Sequence, residues 1–462
     1  MPLASSGRVA VIGGGITGLV AARRLAQSGA EVTVLEAGRR LGGQVHTVQV
    51  AGLPVDVGAE ALHLSAPQVS ALVDELGLAD QLIRSFPGSA NIWNGDELLP
   101  LPAGVGPTGP TRLGPVVRSG ILSPRGLARA AFEPLIPGGL PDRRDISVGH
   151  FLSQRFGTQV TSRLVDPVLG SLHAGDVTQL SLRAAVPQLA AVAGRHRSLV
   201  LARRGGPKPP PPAFATFGEG LVTLIDHLLD GVDVEVRTSA RVSTITPVER
   251  GYEVSTAGGL ALDVDAVVVA LPAAAAASLL EPITPGCEDT LGSVRTASVA
   301  TVVAVYPRSA TDRVEAMMAT GLLVPSSSGR ALKAATFLSS KWPHLQPPDH
   351  FLVRLSAGRA GSPLVASLDD QQLAEALHAD LAEATGLAAD PTEVQVHRWP
   401  RALPQLEVGH LDRMAAVRER LALHPGLELA GASCDGIGIA ACIASGDRAA
   451  AATRLATTPE VV

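Results

Sequence analysis

Three glycines spaced Gly13-x-Gly15-x-x-Gly18, followed 18 residues later by the carboxylate of Glu36, form an arrangement suited to grip a dinucleotide. The glycines permit a tight turn, close approach of backbone to a pyrophosphate, and close packing of helix on strand. Ile16 and Thr17 complete the turn before the following helix, whose free N–H groups and positive dipole end would face the phosphates. Glu36, with Ala37 beside it, ends the second strand, where a carboxylate accepts hydrogen bonds from both ribose hydroxyls. It would also repel a 2′-phosphate, which argues against NADP. In a chain with 48 glycines the spacing alone is weak. It gains weight from the elements around it: an apolar strand, Arg8 to Ile12, a helix-like stretch, Leu19 to Ser28, and a second strand, Glu31 to Leu35.

A second glycine turn follows at once, in Arg39-Arg40-Leu41-Gly42-Gly43-Gln44. Arg40 is placed to pair with a phosphate oxygen. The plain alternative is a solvated arginine pair on a loop. A nicotinamide dehydrogenase has no use for this second turn. It resembles the signature of the amine-oxidase-like FAD family, in which the glycine pair lets backbone lie against the flavin end of an extended FAD. The run Val55-Asp56-Val57-Gly58-Ala59-Glu60, with Ala61 after it, is similar to that family's next cofactor-contacting turn.

The elements that must position these turns are spread over a long chain. Its 462 residues predict two or three domains, and 46% hydrophobic content is ample for large cores. A net charge of −5, with signs interspersed, argues against nucleic acid as a partner. Cys287, Cys434 and Cys442 form neither a disulfide framework nor a metal-spaced cluster, so no metal is expected and a reducing cytoplasm suits them. No signal peptide or membrane span is read, and at most a peripheral membrane contact is expected.

Helical periodicity is read in Pro67 to Ala79, Gly126 to Phe132, Val148 to Arg163, Ala185 to Arg195, Leu221 to Asp230, Asp369 to Thr385 and Gly438 to Ala451. Strands are read at Val232 to Arg237, Tyr252 to Thr256, Ala266 to Leu271, Val299 to Tyr306, Phe351 to Leu355 and Leu427 to Ala430, with a hairpin turning at Asn94-Gly95-Asp96. Lys208 and the prolines after it, within Gly205 to Pro212, read as a loop or stiff linker. The expected architecture is α/β. A discontinuous Rossmann-type FAD-binding domain takes residues 1–90, 215–275 and 395–462. A mixed-sheet substrate domain takes 276–394 with about 85–105, and a mainly helical domain takes 106–214.

Later segments narrow the family. His397-Arg398-Trp399-Pro400-Arg401-Ala402-Leu403-Pro404-Gln405-Leu406-Glu407-Val408-Gly409-His410 resembles a segment of protoporphyrinogen and coproporphyrinogen oxidases. So do Asp166 to Asp176 with Leu180-Ser181-Leu182, Thr216 to Leu221, Lys341-Trp342-Pro343-His344, Gly358 to Gly361, and Gly431 to Gly446. The resemblance spans nearly the whole chain and is greatest to the soluble Gram-positive, actinobacterial-type coproporphyrinogen III oxidases.

The resemblance implies oxidation of a porphyrinogen, with FAD accepting hydride in successive two-electron steps and oxygen returning it to the oxidised form with release of hydrogen peroxide. It implies that Gly436, Ile437, Gly438 and Ile439 bring backbone N–H groups to the flavin pyrimidine end, where negative charge develops, a helix-start packing turn being the alternative, and that Gly431 and Ala432 also contact the cofactor. Val242 would contact the adenine end through its backbone, and Trp399 would pack near the flavin. Gly170 aligns with a glycine whose carbonyl orients the porphyrinogen; plain packing is the alternative. His173 reads as structural rather than catalytic. The product is of the kind handed to a ferrochelatase, and the oligomeric state is left open.

Two departures stand out. Leu406 replaces an aromatic found in many relatives. No arginine precedes Ile92-Trp93, where one pairs a propionate in many eukaryotic protoporphyrinogen oxidases. Arg195, Arg197, Arg203 and Arg204 are candidates for a basic substrate cavity, against the plainer reading of a solvated charge cluster. Protoporphyrinogen IX oxidase is the nearest alternative function, and an amine oxidase or desaturase a more distant one.

Overall fold

In a computed structural model, residues 7–136, 145–202 and 214–457 are described. Arg203, Arg204 and the Gly205 to Pro212 linker reading lie outside them.

A five-stranded parallel sheet stands at the centre, in the order Val234–Arg237, Glu31–Leu35, Arg8–Ile12, Ala266–Val269, Leu427–Leu429. Its strands come from distant parts of the chain, yet all run the same way. Both faces are apolar because both are covered. Val9 and Val11 pack beneath the helices Ile16–Gln27 and Ile439–Thr457, while Ala10 and Ile12 pack against Ala273–Leu280 and His410–Leu421. Strand order reverses beside Arg8–Ile12, and ligands of such sheets bind at this switch point, beyond the carboxyl ends of the strands. A small antiparallel sheet, Val242–Pro247, Tyr252–Thr256 and Ala261–Val264, closes one side.

A second, seven-stranded sheet runs Glu393–Pro404, Thr296–Pro307, His350–Ala357, Leu332–Phe337, Gly321–Leu323, Asn91–Trp93, Leu98–Pro100. Only Gly321–Leu323 and Asn91–Trp93 pair in parallel. Asn94 makes the hairpin turn: its side-chain oxygen accepts from the N–H groups of Asp96 and Glu97. One face of this sheet carries the helix Asp370–Thr385 through Leu373, Leu377 and Leu381. That helix starts on a reciprocal cap between Asp369 and Gln372 and stops at Gly386 (φ +75°). The other face turns toward Val55, Val57 and Trp342.

Helices dominate the segment between them. The helix expected from Val148 to Arg163 stops at Phe156, because Gly157 has φ +91°. The chain then forms a widened helix, Thr161–Gly170, around Pro167, which has no N–H to donate. Among the described residues no helix is long and apolar enough to cross a membrane.

Candidate functional site

The first glycine turn is shaped by close approach. Gly13 (φ +109°) donates its N–H to Leu35 O at 2.9 Å, and a Cβ there would sit 2.5 Å from Ala270 O. At Gly18 a Cβ would lie 1.9 Å from Gly13 O, so the helix can seat on the strand only without a side chain. Gly15 caps the helix Ile16–Gln27 with no side chain, and nothing lies within 4 Å of a Cβ built on it. The helix end, with Ile16 and Thr17, is an open cradle of N–H groups.

The second turn lies directly on the first. Gly42 N–H donates to Gly14 O at 2.8 Å, and Gly43 (φ +57°) comes within 3.3 Å of Gly15 Cα at its Cβ position. Exposed Arg40 donates from its guanidinium to the carbonyls of Leu41 (3.0 Å), Val45 (3.1 Å) and Gly43 (2.7 Å), fixing the turn. Arg40→Met should therefore raise the dissociation constant for FAD about ten-fold, with little change in melting temperature, as read by titrating apoprotein with the flavin. Unchanged affinity would refute this role.

Glu36 bridges the two turns. Its carboxylate accepts from Gly14 N–H (2.8 Å) and Gly38 N–H (2.6 Å), with Ala37 exposed between. Glu36 O accepts from Ala240 N–H, which fixes the loop leading into half-buried Val242. The residues expected at a ribose and adenine end are thus gathered on one rim.

The next turn joins the two sheets. Gln44 O accepts from Ala59 N–H at 2.9 Å, and a Cβ at Gly58 would lie 1.9 Å from that oxygen. Gln44 Nε2 donates to Ala402 O at 2.8 Å. Trp399 donates its indole N–H to Val57 O (3.1 Å) and meets His46 edge-on at 6.2 Å. Ala61 packs into the same apolar cluster. Glu60, expected as a cofactor contact, turns its carboxylate to the seven-stranded sheet. It accepts from Lys341 Nζ and Arg354 (both 2.6 Å), and from Trp342 Nε1 and Thr336 Oγ1 (both 3.2 Å). Burial pushes this carboxyl up, but Lys341 and Arg354 more than reverse that and hold it at about 2.

The C-terminal segment supplies a second open helix end. Gly431 (φ +122°) donates its N–H to Ser445 Oγ at 2.8 Å, and Ala432 begins a short helix. Asp435 accepts from Ser445 Oγ (2.5 Å), Arg448 (3.0 Å) and Arg418. Burial raises its pKa, and these partners bring it below its ordinary value. The chain passes half-buried Ile437 and exposed Gly438 (φ +94°), and Ile439 starts the long helix. Gly446 lets that helix press on the first: a Cβ there would lie 2.6 Å from Thr17 O.

Gly170 is buried in the widened helix. Its carbonyl accepts from Gly175 N–H at 3.1 Å, and Asp166 crowds its Cβ position at 2.9 Å. Buried His173 has no partner for Nδ1, and desolvation lowers its pKa to about 4, so the ring is neutral. Arg195 and Arg197 are exposed, as the solvated-charge alternative had it. The sequence reading missed a cationic group where this helix meets the seven-stranded sheet: buried Lys333 with half-buried Arg354 and Arg359. Its signal was slight: one of only three lysines, set among Ala331, Leu332, Ala334 and Ala335.

The model of the flavin containing amine oxidoreductase family matches residues 16–453. Coproporphyrinogen III oxidase of Bacillus subtilis is 32% identical, over 96% of each chain. The protein of the same name from Mycobacterium bovis is 35% identical, over 95% of each. A solved structure from Exiguobacterium, assigned as a protoporphyrinogen oxidase, superimposes with a TM-score of 0.86 at 30% identity, covering 98% of this chain and 99% of that one.

Proposed function

This chain belongs to the flavin containing amine oxidoreductases, and from that premise we propose that it is an FAD- and oxygen-dependent coproporphyrinogen III oxidase, forming coproporphyrin III and hydrogen peroxide. One observation carries the reading. Full-length likeness to proteins of that name coincides with a cradle in which Gly13, Gly18, Gly42 and Gly58 leave no room for side chains and two helix ends stay open.

The residues fit FAD. The Gly13–Gly18 turn and the end of the Ile16 helix would hold the pyrophosphate, Glu36 the ribose, and the Val242 edge the adenine. Gln44, Gly58, Ala59 and Trp399 would wall the flavin end, with N–H groups near Gly438 at the pyrimidine. When bound, FAD supplies the hydride-accepting chemistry, and oxygen is the terminal acceptor. The chain's own part is to bind, orient and exclude water. Arg40 and Glu36 lock the two turns, and Trp399 backs the Val57–Gly58 turn. Neutral His173 is no proton acceptor of note. A metal-free porphyrin product makes hand-off to a ferrochelatase part of the same reading.

The Exiguobacterium relative's assignment favours a second reading, protoporphyrinogen IX as substrate. Porphyrin fluorescence followed on both porphyrinogens decides between them. We expect kcat/KM at least about ten-fold higher for coproporphyrinogen III. The opposite ratio moves the function to the second reading, and no peroxide or porphyrin from either ends both.

A further inference from the structure

We propose that Lys333, backed by Arg359 and Arg354, is a carboxylate anchor for the porphyrinogen, selecting a substrate rich in propionates. This rests on the function proposed above. Lys333 is 6% exposed, and among the described residues no carboxylate or other acceptor pairs with its ammonium. Desolvation and the neighbouring Arg359 and Arg354 lower its pKa to about 7, so a carboxylate ligand would draw it to the charged form. Among the described residues no acid does so here.

Its surroundings deepen the excess of charge. Val324 ties two of the cations together: its N–H donates to Lys333 O at 3.0 Å, and its carbonyl accepts from Arg359 at 2.7 Å. Arg359 retains a buried guanidinium nitrogen, Nη1, without a partner, and Arg354 retains Nε in the same state. Nearby carboxylates are already engaged. Asp166 accepts from Ser326 N–H (2.7 Å) and Oγ (2.9 Å), and Glu60 is shared by Lys341 and Arg354. Arg359 and Arg354 thus keep buried donors that these carboxylates do not meet. The strand carrying Lys333 breaks register with His350–Ala357 between Leu332 and Ala334, which leaves Lys333 without a partner on that side.

The place is as telling as the charge. Ser171, next to Gly170, donates to Lys333 O at 3.3 Å, so the widened helix touches this strand. Thr336 and Arg354, cross-strand neighbours, reach Glu60 in the turn beside Gly58 and Trp399. The cationic group therefore lies between the segment expected to orient the porphyrinogen and the wall expected at the flavin. Coproporphyrinogen III carries four propionates and protoporphyrinogen IX two, so a cation surplus here favours the former. It also supplies what the missing arginine before Ile92 does not.

The test uses holoenzyme with Lys333→Met and Lys333→Arg. For Lys333→Met we expect KM for coproporphyrinogen III and the dissociation constant for coproporphyrin III, read by fluorescence quenching, to rise together about ten-fold or more. We expect kcat within about three-fold, the flavin spectrum unchanged, and a smaller KM change for protoporphyrinogen IX. Lys333→Arg should restore most of the affinity. Unchanged porphyrin binding in Lys333→Met, or a fall in kcat without a change in binding, overturns the proposal. If both Lys333→Met and Lys333→Gln fail to fold with FAD, Lys333 is structural and the proposal falls. Wild-type protein that binds and oxidises neither porphyrinogen instead removes the function on which the proposal rests.

Discussion

Gly18→Ala protein purifies without FAD and without the blue absorption of oxidised flavin. The added Cβ would stand 1.9 Å from Gly13 O and 3.3 Å from Ala270 Cβ. The first obstacle is backbone, so no rotamer change relieves it. Either the helix Ile16–Gln27 lifts from the sheet or the Gly13–Gly15 turn opens, and both misplace the N–H cradle. Lifting the helix also loosens its contact with the C-terminal helix, because Thr17 O lies against Gly446. Overpacking of this kind costs about 1–3 kcal/mol in stability. Loss of FAD affinity should be larger, at least about a hundred-fold, or about 3 kcal/mol. Gly29→Ala is the control. Gly29 has φ +90° but open space around its Cβ position. It should lose about 1 kcal/mol from backbone strain and keep its flavin. A yellow Gly18→Ala protein, or a colourless Gly29→Ala protein, would contradict the proposed origin of the cradle.

The glycine turns were legible because the constraint is local and written in backbone conformation. A strand, a turn and a helix within about thirty residues need no distant partner to be recognised. The same locality explains the accurate ends of Arg8–Ile12, Glu31–Leu35 and Tyr252–Thr256. Periodicity failed at Gly157, where apolar spacing ran on through a residue whose φ of +91° ends the helix. Arg40 shows a subtler point. Its charge beside glycines suggested a phosphate, but the sequence did not show that its donors also hold carbonyls of its own turn. A side chain's direction is set by packing, not by type. Glu60 was found as a residue but not as a connection, because Lys341 and Arg354 stand 281 and 294 positions away. Lys333 is the extreme case. An isolated lysine in an alanine-rich strand signals nothing until the fold places it beside Arg359 and Arg354.

Glu60→Gln should destabilise the protein by about 3–5 kcal/mol, because it leaves Lys341 and Arg354 in a nearly dry site without their counter-charge. The side chains involved are 18%, 14% and 13% exposed, so solvent screens them little. The effect should carry a pH signature. In the folded chain the Glu60 carboxyl is held at about 2, below its ordinary 4.5. As pH falls the unfolded chain takes up the proton first, so this group's stabilisation is complete above 4.5 and is lost as pH falls toward 2. The shift corresponds to about 3 kcal/mol. Asp56 opposes it. Burial raises its carboxyl from 3.8 to about 6, despite bonds from Thr47 and Leu221, so its penalty on stability fades as pH falls from 6 to 3.8. Wild-type stability should therefore hold or rise slightly between pH 6 and pH 4.5, then fall. Glu60→Gln keeps most of the Asp56 rise, whose main cause is burial and whose least cause is the Glu60 charge, but lacks the Glu60 fall. The gap between the two proteins, read from denaturant midpoints, should be constant above pH 5 and narrow steadily below pH 4.5. A gap that stays constant to pH 3 would mean that Glu60 holds the two sheets together by shape and hydrogen bonding, with its charge contributing little.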